Sequence, residues 1–139
     1  MSYDVVIVGA SVSGNIAAYE CAKRGLKVLV VERSDPAKGY RIKPCGGGLS
    51  QLAIDEFPQT EEFVIHKTRD LVNRYQDIEL ITRIPIYMTN RNDLDLGMAD
   101  MAMAEGAEYR FGEAWYTGND DYDSEWLIGA GGVTCPVAT

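Results

Sequence analysis

Residues 3–32 read YDVVIVGASVSGNIAAYECAKRGLKVLVVE, and this stretch decides the fold. Val5-Val6-Ile7-Val8 is too short for a helix and rich in β-branched residues, the signature of a buried strand. The turn Gly9-Ala10-Ser11-Val12-Ser13-Gly14 follows, and a helical segment then runs to about Arg24. Along that helix Ile16, Ala17, Tyr19, Glu20 and Cys21 mix a small-residue packing face with a polar one. Gly25 suits the position just past a helix end, and Lys23 and Arg24 suit the negative end of the helix dipole. Val28-Leu29-Val30-Val31 is a second buried strand, with Glu32 at its carboxyl end. The result is a strand–helix–strand unit, right-handed by the general crossover rule.

Such a turn has a definite chemistry. The first amides of a helix lack intrahelical acceptors and the dipole adds positive charge, so a pyrophosphate docks there. Glycines permit the tight turn, the close approach of phosphate and tight helix–strand packing. An acid about 20 residues further on accepts a bond from an adenosine ribose hydroxyl, and Glu32 stands eighteen residues after Gly14. The candidate nucleotide-binding residues are therefore Gly9, Ala10, Ser11, Ser13, Gly14 and Glu32. The middle glycine of G-x-G-x-x-G is replaced by Ser11, whose Cβ crowds a phosphate while its hydroxyl can donate to one. The alternative is a unit of the same shape that binds no nucleotide.

Length and composition set the bounds. The 139 residues predict one domain, 1–139, with enough chain for one core. With 46% hydrophobic and 24% charged residues the chain reads as an ordinary soluble globular protein. A net charge of −8 argues against nucleic acid and against general affinity for anionic membranes. No apolar run approaches the ~20 residues of a membrane span, and the N-terminus enters a strand without the pattern of a signal peptide. Cys21, Cys45 and Cys135 are odd in number and widely spaced, which points to reduced thiols and a cytoplasmic location. His66 alone supports no metal site and reads as an exposed strand residue.

Further along, Arg33 to Pro44 is a polar loop whose Arg33, Lys38, Arg41 and Lys43 can meet phosphates beside the turn. Cys45-Gly46-Gly47-Gly48 comes next; consecutive glycines fit a chain that needs positive φ or passes close to something flat. Cys45 is the one candidate for a thiol held near a bound group. A helical pattern over Leu49, Leu52, Ala53 and Phe57 stops at Pro58. Residues 61–88 hold short β-prone runs separated by Asn73-Arg74 and Gln76-Asp77, which predicts a small antiparallel meander forming a substrate-cleft wall.

Residues 91–107 predict a helix capped by Asn90 or Asn92, with Leu94, Met98, Met101 and Ala102 on one face and Gly106 at its end. Met98, Met101 and Met103 read as core filler. Residues 107–111 predict a third parallel strand. An acidic turn at Gly118-Asn119-Asp120-Asp121, flanked by aromatics, predicts a hairpin without the ligand spacing of a calcium loop. Residues 126–136 predict another buried strand entering a second glycine turn on the same rim of the sheet.

Together these segments resemble flavin-dependent oxidoreductases of the geranylgeranyl reductase type, within the p-hydroxybenzoate-hydroxylase-like group. Val5 to Gly14 with Glu32 is similar to that family's ADP-binding fingerprint, and Lys43-Pro44-Cys45-Gly46-Gly47-Gly48 to its cysteine–glycine loop by the isoalloxazine. Arg91-Asn92-Asp93-Leu94-Asp95 resembles its R-x-x-hydrophobic-D, and Gly129-Ala130-Gly131-Gly132 its second dinucleotide motif, normally G-A-D-G. The resemblance spans this chain and about the first third of a family member.

It implies a Rossmann-like α/β fold, a parallel sheet with helices on both faces and a small antiparallel insertion over 61–88. It implies FAD as cofactor, bound by the turn residues, Glu32, Arg33, Cys45 to Gly48, Arg91, Gly129 and Gly131, with Cys45 bordering the reacting face. It implies an isoprenoid lipid as substrate, reduced at a double bond. A homo-oligomer, or a partner chain completing the fold, follows from so short a span. Two other readings stay open: a non-catalytic nucleotide-binding module that pairs with another chain, and an NAD-binding dehydrogenase half.

Overall fold

A computed structural model describes residues 3–39, 45–118 and 122–137. They fall into two compact units, residues 1–42 with 95–139 and residues 43–94. The α/β class, the parallel sheet and the antiparallel insertion expected from the sequence are the architecture observed.

The first unit is built on four parallel strands in the order β8-β2-β1-β9, where β1 is Tyr3–Val8, β2 Val28–Glu32, β8 Glu108–Phe111 and β9 Ser124–Gly129. The continuous apolar runs at 5–8 and 28–31 are the two central strands. Ile7 and Leu29 are fully buried there, each contributing roughly 1.5–3 kcal/mol. Strand alternation divides the side chains between two faces. Val5, Ile7, Val28 and Val30 pack with Ala18 and Ala22 of α1 (Val12–Lys23) and with Ala102 of α3 (Arg91–Ala104). Tyr3, Val6, Leu29 and Val31 meet Trp115 and Tyr122 on the other face.

Helix ends follow their local chemistry. Gly25 follows α1 at φ 81°, its amide donating to the Ala22 carbonyl at 2.8 Å. Asn90, and not Asn92, caps α3: its Oδ1 accepts from the amides of Asn92 at 2.9 Å and Asp93 at 3.4 Å. Leu94, Met98 and Ala102 are buried along this helix, but Met103 is 39% exposed, because it lies outside their stripe.

Two expectations for the last third fail. No strand forms over 113–118, so there is no hairpin with β9; Trp115 packs on the sheet face and β9 pairs parallel with β1 instead. The Asn119-Asp120-Asp121 turn lies outside the described residues. Nor is β9 buried: as the edge strand it leaves Trp126 65% and Leu127 42% exposed.

The second unit holds a three-stranded antiparallel sheet in the order β3-β7-β4, from β3 (Gly48–Ser50), β4 (Val64–Thr68) and β7 (Ile86–Thr89). Beside β3 in sequence is the short α2 (Gln51–Glu56), capped by Ser50, whose Oγ accepts from the Ala53 amide at 3.1 Å. A separate two-stranded hairpin joins β5 (Leu71–Tyr75) and β6 (Ile78–Thr82). The arrangement is a hairpin nested between paired outer strands, not a meander, since β4 pairs with β7. Asn73 and Arg74 are not a turn; they lie within β5, opposite Leu80 and Glu79. Gln76-Asp77 is the turn, with Gln76 at φ 52°. His66 is exposed in β4, as expected.

Candidate functional site

The turn between β1 and α1 is shaped by steric necessity. Gly9 has φ 108°, and a Cβ there would lie 2.6 Å from the Ala130 carbonyl oxygen. A Cβ on Gly14 would lie 1.9 Å from the carbonyl oxygen of Gly9. Only glycine lets the helix start this close to the strand end. Ser11 occupies the N-cap in an extended conformation, yet its hydroxyl makes no capping bond. It makes a long contact with Asp95 Oδ1 instead, at 3.5 Å.

The first intrahelical bond runs from the Asn15 amide to the Ser11 carbonyl. The amides of Val12, Ser13 and Gly14 therefore precede the helical ladder, and the first turn contains no acidic residue. Ser13 is exposed there.

Glu32 stands at the end of β2 with its carboxylate folded back on this turn. Oε2 accepts from the Ala10 amide at 2.8 Å and Oε1 from the Ser34 amide at 2.8 Å. A carboxylate has about four acceptor positions, so both oxygens can also take a hydroxyl proton. The donor set fits an adenosine diphosphate group: amides at a helix start for the phosphates and a carboxylate beside them for a ribose. Arg33 is exposed next to Glu32, while Arg41 and Lys43 lie outside the described residues.

The second glycine turn follows β9, which pairs with β1 so that Val8 is opposite Gly129. The Ala130 amide donates to the Val8 carbonyl at 2.8 Å. Cβ atoms added at Gly129 and Gly131 would lie 3.1 Å and 3.2 Å from Cys135 Sγ. At Gly129 the Val137 Cβ would be nearer still, at 2.9 Å, so Val137 and buried Cys135 together favour a small residue there and Cys135 does so at Gly131, a role the sequence reading assigned to neither.

The other predicted site residues belong to the second unit. Cys45 is exposed, and its Sγ accepts from the Gly47 amide at 3.5 Å. Gly47 has φ 72°, and a Cβ there would lie 2.2 Å from the Thr89 carbonyl oxygen; one on Gly48 would lie 2.8 Å from Ile86 Cγ2. Packing against β7 therefore requires both glycines. Gly46 has nothing within 4 Å of such an atom. Arg91 opens α3 with its Nε buried. Lys43 and Pro44 lie outside the described residues.

The structure brings Gly9, Ala10, Ser11, Ser13, Gly14, Glu32, Gly129 and Gly131 to one rim of the parallel sheet, at the carboxyl ends of β1, β2 and β9. Sequence reasoning missed Asn15, whose buried side chain bonds to three parts of the first unit.

A parallel sheet with β1 central, a glycine turn into α1 and an acid closing β2 defines a Rossmann-like dinucleotide-binding protein. The chain belongs to the FAD dependent oxidoreductase family, whose model matches residues 4–126. It is 31% identical over 113 residues to the geranylgeranyl diphosphate reductase of Rhodobacter capsulatus, covering 78% of this chain and 27% of that protein. It is 34% identical over 114 residues to digeranylgeranylglycerophospholipid reductase 2 of Methanothermobacter thermautotrophicus, covering 78% and 29%. The crystal structure of a geranylgeranyl bacteriochlorophyll reductase-like protein from Thermoplasma acidophilum superposes with a TM-score of 0.64 at 24% identity, over 80% of this chain and 30% of that one. That likeness is one of fold. The chain thus spans under a third of the length of these two curated relatives. FAD is the cofactor to which the family points.

Proposed function

We propose that this chain supplies the FAD-holding part of a geranylgeranyl-reductase-like oxidoreductase acting on a double bond of an isoprenoid lipid. The observation that carries the proposal is the Glu32 carboxylate lying against the Ala10 amide, beside a helix start that its own N-cap side chain leaves uncapped. The relatives' names supply the substrate class. When bound, FAD supplies the hydride chemistry.

The chain's own residues bind and orient. Gly9 to Gly14 present backbone amides to the diphosphate, and Glu32 accepts from the adenosine ribose, with Arg33 alongside. Gly129 and Gly131 form the second strand-end turn. Cys45 to Gly48 border the reacting face of the flavin, and Arg91 meets a phosphate or the flavin edge. The active protein is an oligomer or pairs with another chain, and works in the cytoplasm.

The experiment is an absorbance spectrum of the purified protein followed by FAD titration. Bound flavin bands and saturable uptake are expected, whereas a colourless protein that takes up no FAD would overturn the reading. Oxidation of the reduced flavin on adding a geranylgeranyl lipid tests the substrate class separately.

A further inference from the structure

We infer that Asn15 is a positioning residue for the diphosphate turn and that Tyr109 anchors its side chain; this rests on the nucleotide reading above. Asn15 is 0% exposed in α1, one residue after the last glycine of the turn. Its Nδ2 donates to the Ala10 carbonyl at 3.2 Å and to the Asp95 carbonyl at 2.7 Å. Its Oδ1 accepts from the Tyr109 hydroxyl at 2.9 Å.

A side-chain amide has two protons to give, and each meets a carbonyl here. The reverse orientation would set Oδ1 against both carbonyls and an N–H against a hydroxyl. The two carbonyls therefore select the orientation, and the Tyr109 hydroxyl anchors the Oδ1 end, its ring held by stacking on Phe111 at 5.3 Å.

The consequence falls on the turn. Ala10 has its amide on Glu32 and its carbonyl on Asn15, so the peptides to either side of this residue are both fixed. Those peptides set the direction of the amides that follow. The same Asn15 ties the turn to α3 through Asp95, whose carboxylate also takes the long contact from Ser11. A turn with a serine in place of its middle glycine is thus restrained by a side chain as well as by glycine geometry. Preorganised donors bind an anion without first being ordered, which is where the affinity comes from.

The test uses the full chain with Tyr109→Phe and Asn15→Leu, titrated with ADP, FAD and adenosine. ADP and FAD affinities are expected to fall about tenfold, with adenosine, which lacks phosphates, staying within about twofold. If Asn15→Leu fails to fold because two buried carbonyls lose their donor, Tyr109→Phe still decides, since it removes one hydroxyl and keeps the ring. Unchanged ADP affinity in folded Tyr109→Phe, or equal losses for ADP and adenosine, would overturn the inference. A wild-type protein that binds neither ADP nor FAD would overturn the function proposed above.

Discussion

At the scale of single residues, the glycines sort themselves by what a methyl group would meet. The 1.9 Å gap at Gly14 leaves no room for one, so Gly14→Ala is expected to cost about 2–4 kcal/mol, read from urea unfolding. Gly46 faces open space, and Gly46→Ala should leave stability within about 0.5 kcal/mol. An FAD affinity lowered in that otherwise stable variant would support the flavin-border role. Glu32→Ala removes a charged acceptor beside the turn and should weaken FAD by about 1–3 kcal/mol; unchanged affinity by titration would remove the ribose assignment. Glycine spacing and the acid at the strand end were legible in the sequence because their meaning is local. Asn15 and Cys135 were not. Asn15 takes its role from Asp95 and Tyr109, which lie 80 and 94 residues away, and the role of Cys135 depends on its packing against Gly129 and Gly131.

At the scale of elements, β1, α1, β2 and α3 stood out because apolar period and caps agreed with each other. Asn90→Ala should cost about 0.5–2 kcal/mol through loss of the α3 cap, measured as a lowered unfolding midpoint. The nested hairpin was harder to read. Asn73-Arg74 has turn-like composition, but Arg74 pairs with Glu79 across the ladder at 2.5 Å and the strand continues through it. The true turn carries Gln76 in left-handed backbone. Gln76→Gly should therefore be neutral or stabilise by up to about 1 kcal/mol, by the same measurement. Apolar composition also misled for β9, where Trp126 and Leu127 read as core yet lie on an edge strand. Composition carries no record of which strand comes last in a sheet.

At the scale of the whole molecule, charge and burial combine on the second sheet face. Burial, and then a bond to Glu108, holds the Tyr3 hydroxyl above the usual tyrosine range; burial and Glu113 do the same for Tyr122. Both phenols keep their protons to higher pH folded than unfolded. Their contribution is thus complete below about pH 10 and is lost as pH rises through the folded values. Urea unfolding across the alkaline range should show that decline, and a Tyr3→Phe/Tyr122→Phe variant should flatten it. The order of the strands has a kinetic side too. β1 sits between a neighbour from residues 28–32 and one from residues 124–129, so half of its ladder waits for a segment far downstream to arrive. During synthesis that open flank is a place where a stray chain can pair first. In pulse-labelling experiments the β1–β9 amides should gain protection last.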